Sequence, residues 1–127
     1  MPELYLFEYA VIRIVPRVER EEFLNAGVIL YCEAQKFLDV KFTLDAQRLW
    51  SLCSEIDIAT LEQNLLAFQR ICKGSADAGA IGKLTIRERF RWLTATRSTI
   101  MQTSKAHPGF CPDAKAKLDQ LFMQLVL

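Results

Sequence analysis

The feature that most constrains this chain is the run at residues 4–15, LYLFEYAVIRIV, which is apolar on both of its alternating sets. Leu6, Ala10, Ile12 and Ile14 make one set; Tyr5, Phe7, Tyr9, Val11 and Val15 make the other. Successive side chains of a strand point to opposite faces, so both faces of this one need cover, as in a central strand. Pro16 lacks a backbone donor and ends it. Glu8 interrupts the apolar pattern; as a buried acid it could serve catalysis, but the reading preferred here is an ion pair with a nearby arginine.

The rest of the chain supplies cover. Asn25-Ala26-Gly27 reads as a turn before a second strand at residues 28–31. Residues 37–43 alternate cleanly, with Leu38, Val40 and Phe42 on one side and Asp39 and Lys41 on the other, which predicts an antiparallel hairpin with the second strand. Asp45 is placed to cap a short helix carrying Leu49, Trp50 and Leu52. Ile58, Leu61, Leu65, Phe68 and Cys72 follow spacings of three and four, so residues 58–72 predict an amphipathic helix with Asp57 as its cap and Gly74 as its stop. Residues 75–82, SADAGAIG, form a loop. Ile86, Phe90 and Leu93 predict a short helix with Arg87, Arg89 and Arg91 around its exterior. Pro112 and Asp113 open a last helix whose inward stripe is Ala114, Leu118, Leu121, Phe122 and Leu125.

These elements fit one α+β domain over residues 1–127, an antiparallel sheet of three or four strands packed against two longer helices. No apolar stretch reaches the length of a membrane span, and the first residues lack the basic and small-residue pattern of a signal peptide. The expected location is the cytoplasm. Cys32, Cys53, Cys72 and Cys111 stand far apart with no C-x-x-C pair, and there is a single histidine. The cysteines are therefore expected to be reduced and mostly buried, with no metal site and no cofactor. The Glu19, Glu21 and Glu22 cluster lacks the glycine and spacing of a calcium loop and reads as a solvated face.

Charge is unevenly distributed. Residues 1–82 hold eight Lys/Arg against twelve Asp/Glu. Residues 83–107 hold Lys83, Arg87, Arg89, Arg91, Arg97 and Lys105 against Glu88, a balance of +5 inside a chain whose net charge is +1. Such a concentration creates a local field that the total conceals. Within it, residues 96–104 cluster hydroxyl, amide and guanidinium groups around a short strand expected at residues 99–102, before a His-Pro-Gly turn. These groups hold phosphates or carboxylates, which makes Arg97 a candidate clamp and Ser98, Gln102 and Ser104 candidate donors. His107 adds a side chain that titrates near neutrality and is a candidate acid or base, with Glu22 as its partner. The alternative for each is ordinary turn chemistry and solvated surface charge.

Two blocks, FEYAVIRIVPRVEREEFLNAGVIL and FRWLTATRSTIMQTSKAHPGFC, make the chain resemble the bacterial family catalogued as domain of unknown function 3037, over nearly its whole length. The family's motif positions fall here on Arg20, Glu22, Phe23, Asn25 and Gly27, and on Trp92, Leu93, Arg97, Ser98, Gln102, Ser104, His107 and Gly109. The chain departs from the pattern at Glu21, where the family often has Gly, and at Thr96, where it often has Pro. The resemblance implies a small bacterial cytoplasmic protein in an accessory role, with a HipA-like kinase as the implied partner.

The functional expectation is a binding or accessory protein that recognises an anionic group, on a nucleotide, a nucleic acid or a phosphorylated partner, through residues 83–107. Its rivals are an enzyme of phosphate chemistry, such as a nuclease using His107 and Glu22, and a structural domain docking through an apolar patch.

Overall fold

The computed structural model describes residues 3–95 and 99–127. Strands β1 (Tyr5–Ile14), β2 (Leu24–Cys32) and β3 (Phe37–Phe42) are followed by helices α1 (Ala46–Leu52), α2 (Ile58–Lys73) and α3 (Ile86–Leu93). Strands β4 (Met101–Thr103) and β5 (His107–Cys111) and helix α4 (Ala114–Leu125) complete the order. The sheet is antiparallel throughout, with β1 at its centre: β2 lies on one side, and β4 and β5 lie end to end on the other. Both faces of β1 are covered along most of its length, Leu6 near its start being exposed. Ala10 and Ile12 pack with Ile29, Tyr31 and Val40 under α2 and α3, while Phe7 packs with Val28, Leu30 and Cys32 under α4.

Local signals set the helix ends. The Asp57 side chain accepts from Thr60 N at 3.2 Å, and the last turn of α2 closes on Gly74, whose φ of 65° is one that L side chains rarely adopt. Thr85 and Glu88 form a capping box at the start of α3. The thiols are free; Cys32, Cys72 and Cys111 are buried and Cys53 is half-buried. No helix among the described residues is long and apolar enough to cross a membrane.

Three expectations need correction. Among the described residues the sheet has five strands, not three or four, and there are four α-helices, with the two longer ones on opposite faces. The uncounted strand is β5, because His107-Pro108-Gly109 reads as a turn. An edge strand tolerates a proline, and a side chain at Gly109 would meet the Phe7 ring at 2.6 Å, so glycine is what lets Phe7 lie across the strand. Next, Asn25-Ala26-Gly27 is not a turn but the first part of β2, carrying a bulge: Ile12 pairs with Gly27 and Arg13 with Asn25, which leaves Ala26 as the extra residue.

The third correction concerns Arg89, expected on the exterior and in fact 9% exposed. It sits three residues after Ile86 and one before Phe90, on the inward stripe. Its Nε donates to Leu84 O at 3.0 Å, and its Nη1 donates to Ile71 O and Cys72 O at 2.8 and 2.9 Å. A cation here meets the carbonyls at the negative end of α2, of which Ile71 O also accepts from Gly74 N. Arg89 ties α3 to α2.

Candidate functional site

Arg97 and Ser98 lie outside the described residues. Gln102, Ser104 and His107 are brought together along the outer side of β1, since Gln102 pairs with Arg13, Ser104 N donates to Val11 O at 2.8 Å, and His107 pairs with Tyr9. All three therefore face the side of the sheet that carries α4. They do not converge on a point. Tyr9 and Arg13 are four residues apart, which is about 13 Å along a strand.

Each has work within the sheet. Ser104 is buried, and its hydroxyl accepts from Val11 N at 2.9 Å and donates to Lys105 O at 3.0 Å, bridging the gap between β4 and β5. Gln102 Nε2 donates to Thr99 O at 2.8 Å, which leaves its carbonyl oxygen and second N–H available. The His107 ring lies 5.3 Å from the Tyr9 ring, tilted by 37°.

Glu22 is far from His107. It follows the 3-10 turn after β1 and pairs with Arg20. His107 is opposite Tyr9 while Leu24 is opposite Ile14, so five residues of β1, about 16 Å, separate the two positions. A general acid and base acting on one group need hydrogen-bond reach of a common point. The structure keeps this pair apart.

The group that sequence reasoning missed is Arg13. Its two cross-strand partners are Asn25 on β2 and Gln102 on β4, so three polar side chains form one row across three adjacent strands. All three are half-buried. The guanidinium lies under the Phe23 ring, with Cζ 4.4 Å from its centroid. Arg13 makes no ion pair among the described residues, and its Nε is buried without a hydrogen-bond partner. Asn25 Nδ2 donates to Leu125 O at the end of α4 at 2.9 Å, which fixes the amide and leaves Oδ1 buried without a donor.

The bulge creates this arrangement. In regular register Arg13 would face Ala26; the extra residue turns Asn25 onto its face instead. Phe23 and Asn25 are two of the positions on which the family resemblance falls, and Gln102 is a third. Nothing in local periodicity marks Arg13, because its neighbours are set by long-range pairing.

Chemically, the row offers a cation under an aromatic ring, an amide on each side and no carboxylate. The orphaned atoms, Arg13 Nε and Asn25 Oδ1, are shielded from solvent, so a ligand would meet the remaining N–H groups of the guanidinium and the free groups of the Gln102 amide. Among the described residues, no cluster of His, Cys, Asp and Glu could hold a metal ion.

A second surface lies on the opposite face. Phe68 and Ile71 of α2, Trp92 of α3, and Ile100 and Met101 line an apolar groove of about 320 Å³.

The family model described as Protein of unknown function (DUF3037) matches residues 9–126. No curated protein and no solved structure matches the chain.

Proposed function

The chain belongs to the DUF3037 family of proteins of unknown function, and from that premise we propose that it is a binding protein recognising a phosphate-bearing group through the Arg13 row. One observation carries the reading: a half-buried guanidinium without a carboxylate partner, set between two amides and under an aromatic ring. Arginines in such settings are ordinarily paired, since burying a charge is unfavourable unless something compensates it. A phosphate would compensate it with charge-assisted hydrogen bonds. The +5 balance of residues 83–107 is not gathered at this row, since Arg87 and Arg91 belong to α3 on the other face and Arg89 is engaged in the fold.

The reading is tested by thermal shift against nucleotides and phosphoserine peptides, at low and high salt, with Arg13→Gln alongside the native chain. The expected result is a salt-sensitive stabilisation that Arg13→Gln weakens at least about tenfold in apparent affinity. Absence of stabilisation by every phosphate probe would overturn it, as would an effect of equal size in Arg13→Gln.

The apolar groove favours a second reading, a docking module for a partner protein. Exposed apolar surface beside Trp92 and Ile100 is the supporting observation. Docking of that kind persists in high salt, which separates it from phosphate recognition.

A further inference from the structure

Glu8 is the one charged residue inside the apolar run of β1 that the account so far leaves without a role. Among the described residues the Glu8 side chain makes no ion pair with an arginine and no hydrogen bond. It instead faces an open cleft of about 500 Å³ on the α3 side of the sheet, together with Leu6, Tyr31, Glu33 and Arg87. The cleft exists because α3 reaches the sheet only as far as Phe90, whose ring stacks on Tyr31 with centroids 5.3 Å apart. Beyond Tyr31 the corner of the sheet is bare, and Leu6 is 55% exposed there.

Tyr31 gives this cleft more than a pair of surface carboxylates. Its side chain is only 7% exposed, yet it lines the cleft and its hydroxyl makes no hydrogen bond among the described residues. The ring is buried, and the hydroxyl is not among the solvent-shielded atoms, so it remains open to the cleft. Its pKa is raised, first by burial and then by the charge of Glu33, with Glu8 adding to the rise and Arg87 and Arg91 acting the other way. The hydroxyl thus sits within the field of both carboxylates. Two carboxylates and one guanidinium line the cleft, with Arg91 acting on Tyr31 from α3 beside it, and its volume lies within the range of about 300–1,000 Å³ of small-molecule sites.

We infer that this cleft is a binding site for a small organic cation, an ammonium or guanidinium on an apolar body, with Glu8 and Glu33 holding the charge, Tyr31 a hydrogen bond and Leu6 the apolar part. The site is separate from the Arg13 row, which lies on the other face of the sheet, and does not depend on it.

Agmatine, which carries both kinds of cation on a four-carbon stem, is the probe. Calorimetric titration at low salt should show saturable binding that weakens at least about tenfold in Glu8→Gln, the loss expected for a charge-assisted contact. Tyr31→Phe, which removes only the hydroxyl and serves should Glu8→Gln fold poorly, should weaken it several-fold. Arg87→Gln should strengthen binding by removing a like charge, and Arg13→Gln should leave it unchanged. No saturable binding by the native chain would overturn the inference, as would equal affinity in Glu8→Gln and Tyr31→Phe.

Discussion

Two arginines show how the same side chain serves opposite purposes according to what surrounds it. Arg89 donates to the carbonyls of Ile71 and Cys72 at the end of α2 and to that of Leu84 just before α3, so it is held within the fold. A side chain at Gly74 would also touch its Nη1 at 2.8 Å, so the close of α2 and the seat of Arg89 are built together. Arg89→Met should destabilise the fold by about 2–4 kcal/mol in urea unfolding, because it orphans carbonyls at a buried helix end; a change below about 0.5 kcal/mol would contradict this role. Arg13 has the reverse situation, with a ring above it, amides beside it and no counter-charge. The placement of Arg89 could be read from its spacing to Ile86, Phe90 and Leu93. That of Arg13 could not, since it depends on which residue of β2 stands opposite. Arg97 and Ser98, the residues to which the sequence pointed most strongly, lie outside the described residues.

At the scale of elements, the outer side of β1 is closed by two short strands rather than one long one, and Ser104 makes that possible. Its backbone N–H and side-chain hydroxyl meet the carbonyl and amide of Val11 where neither β4 nor β5 reaches. Ser104→Ala should therefore cost about 1–2 kcal/mol and speed hydrogen exchange at the Val11 amide. An unchanged exchange rate there would contradict the bridging role. This explains why hydroxyls that look like ligand donors in sequence can be structural: a serine that completes a strand and one that holds a phosphate carry the same local signature. β1, α2 and α4 were legible because their apolar spacing repeats over ten residues or more. β5 was not, because Pro108 and Gly109 are turn residues unless a neighbouring strand and the Phe7 ring specify otherwise.

For the whole molecule, the sheet separates two candidate surfaces. The side that carries α4 presents Arg13 between Asn25 and Gln102, and the side that carries α3 presents Glu8 and Glu33 around Tyr31. The scaffold between them has its own charge dependence. The hydroxyl of Thr60 holds the Asp57 carboxyl below the usual range, and hydrogen bonding from Lys41 does the same for Asp119. A carboxyl with a depressed folded-state pKa contributes stability that is present above its unfolded value, about 3.9, and is lost as pH falls through the folded one. Melting temperature should accordingly decline below about pH 4, and the double variant Asp57→Asn, Asp119→Asn should decline less steeply; equal slopes would contradict the assignment. The central claim is that Arg13 takes a phosphate, and the most direct measurement is the NMR signal of its own side-chain Nε–H during titration with phosphoserine peptide or nucleotide. This resonance should move and saturate along with the backbone amides of Asn25 and Gln102. If a probe binds and moves other resonances while the Arg13 Nε–H stays in place, phosphate recognition lies elsewhere on the molecule.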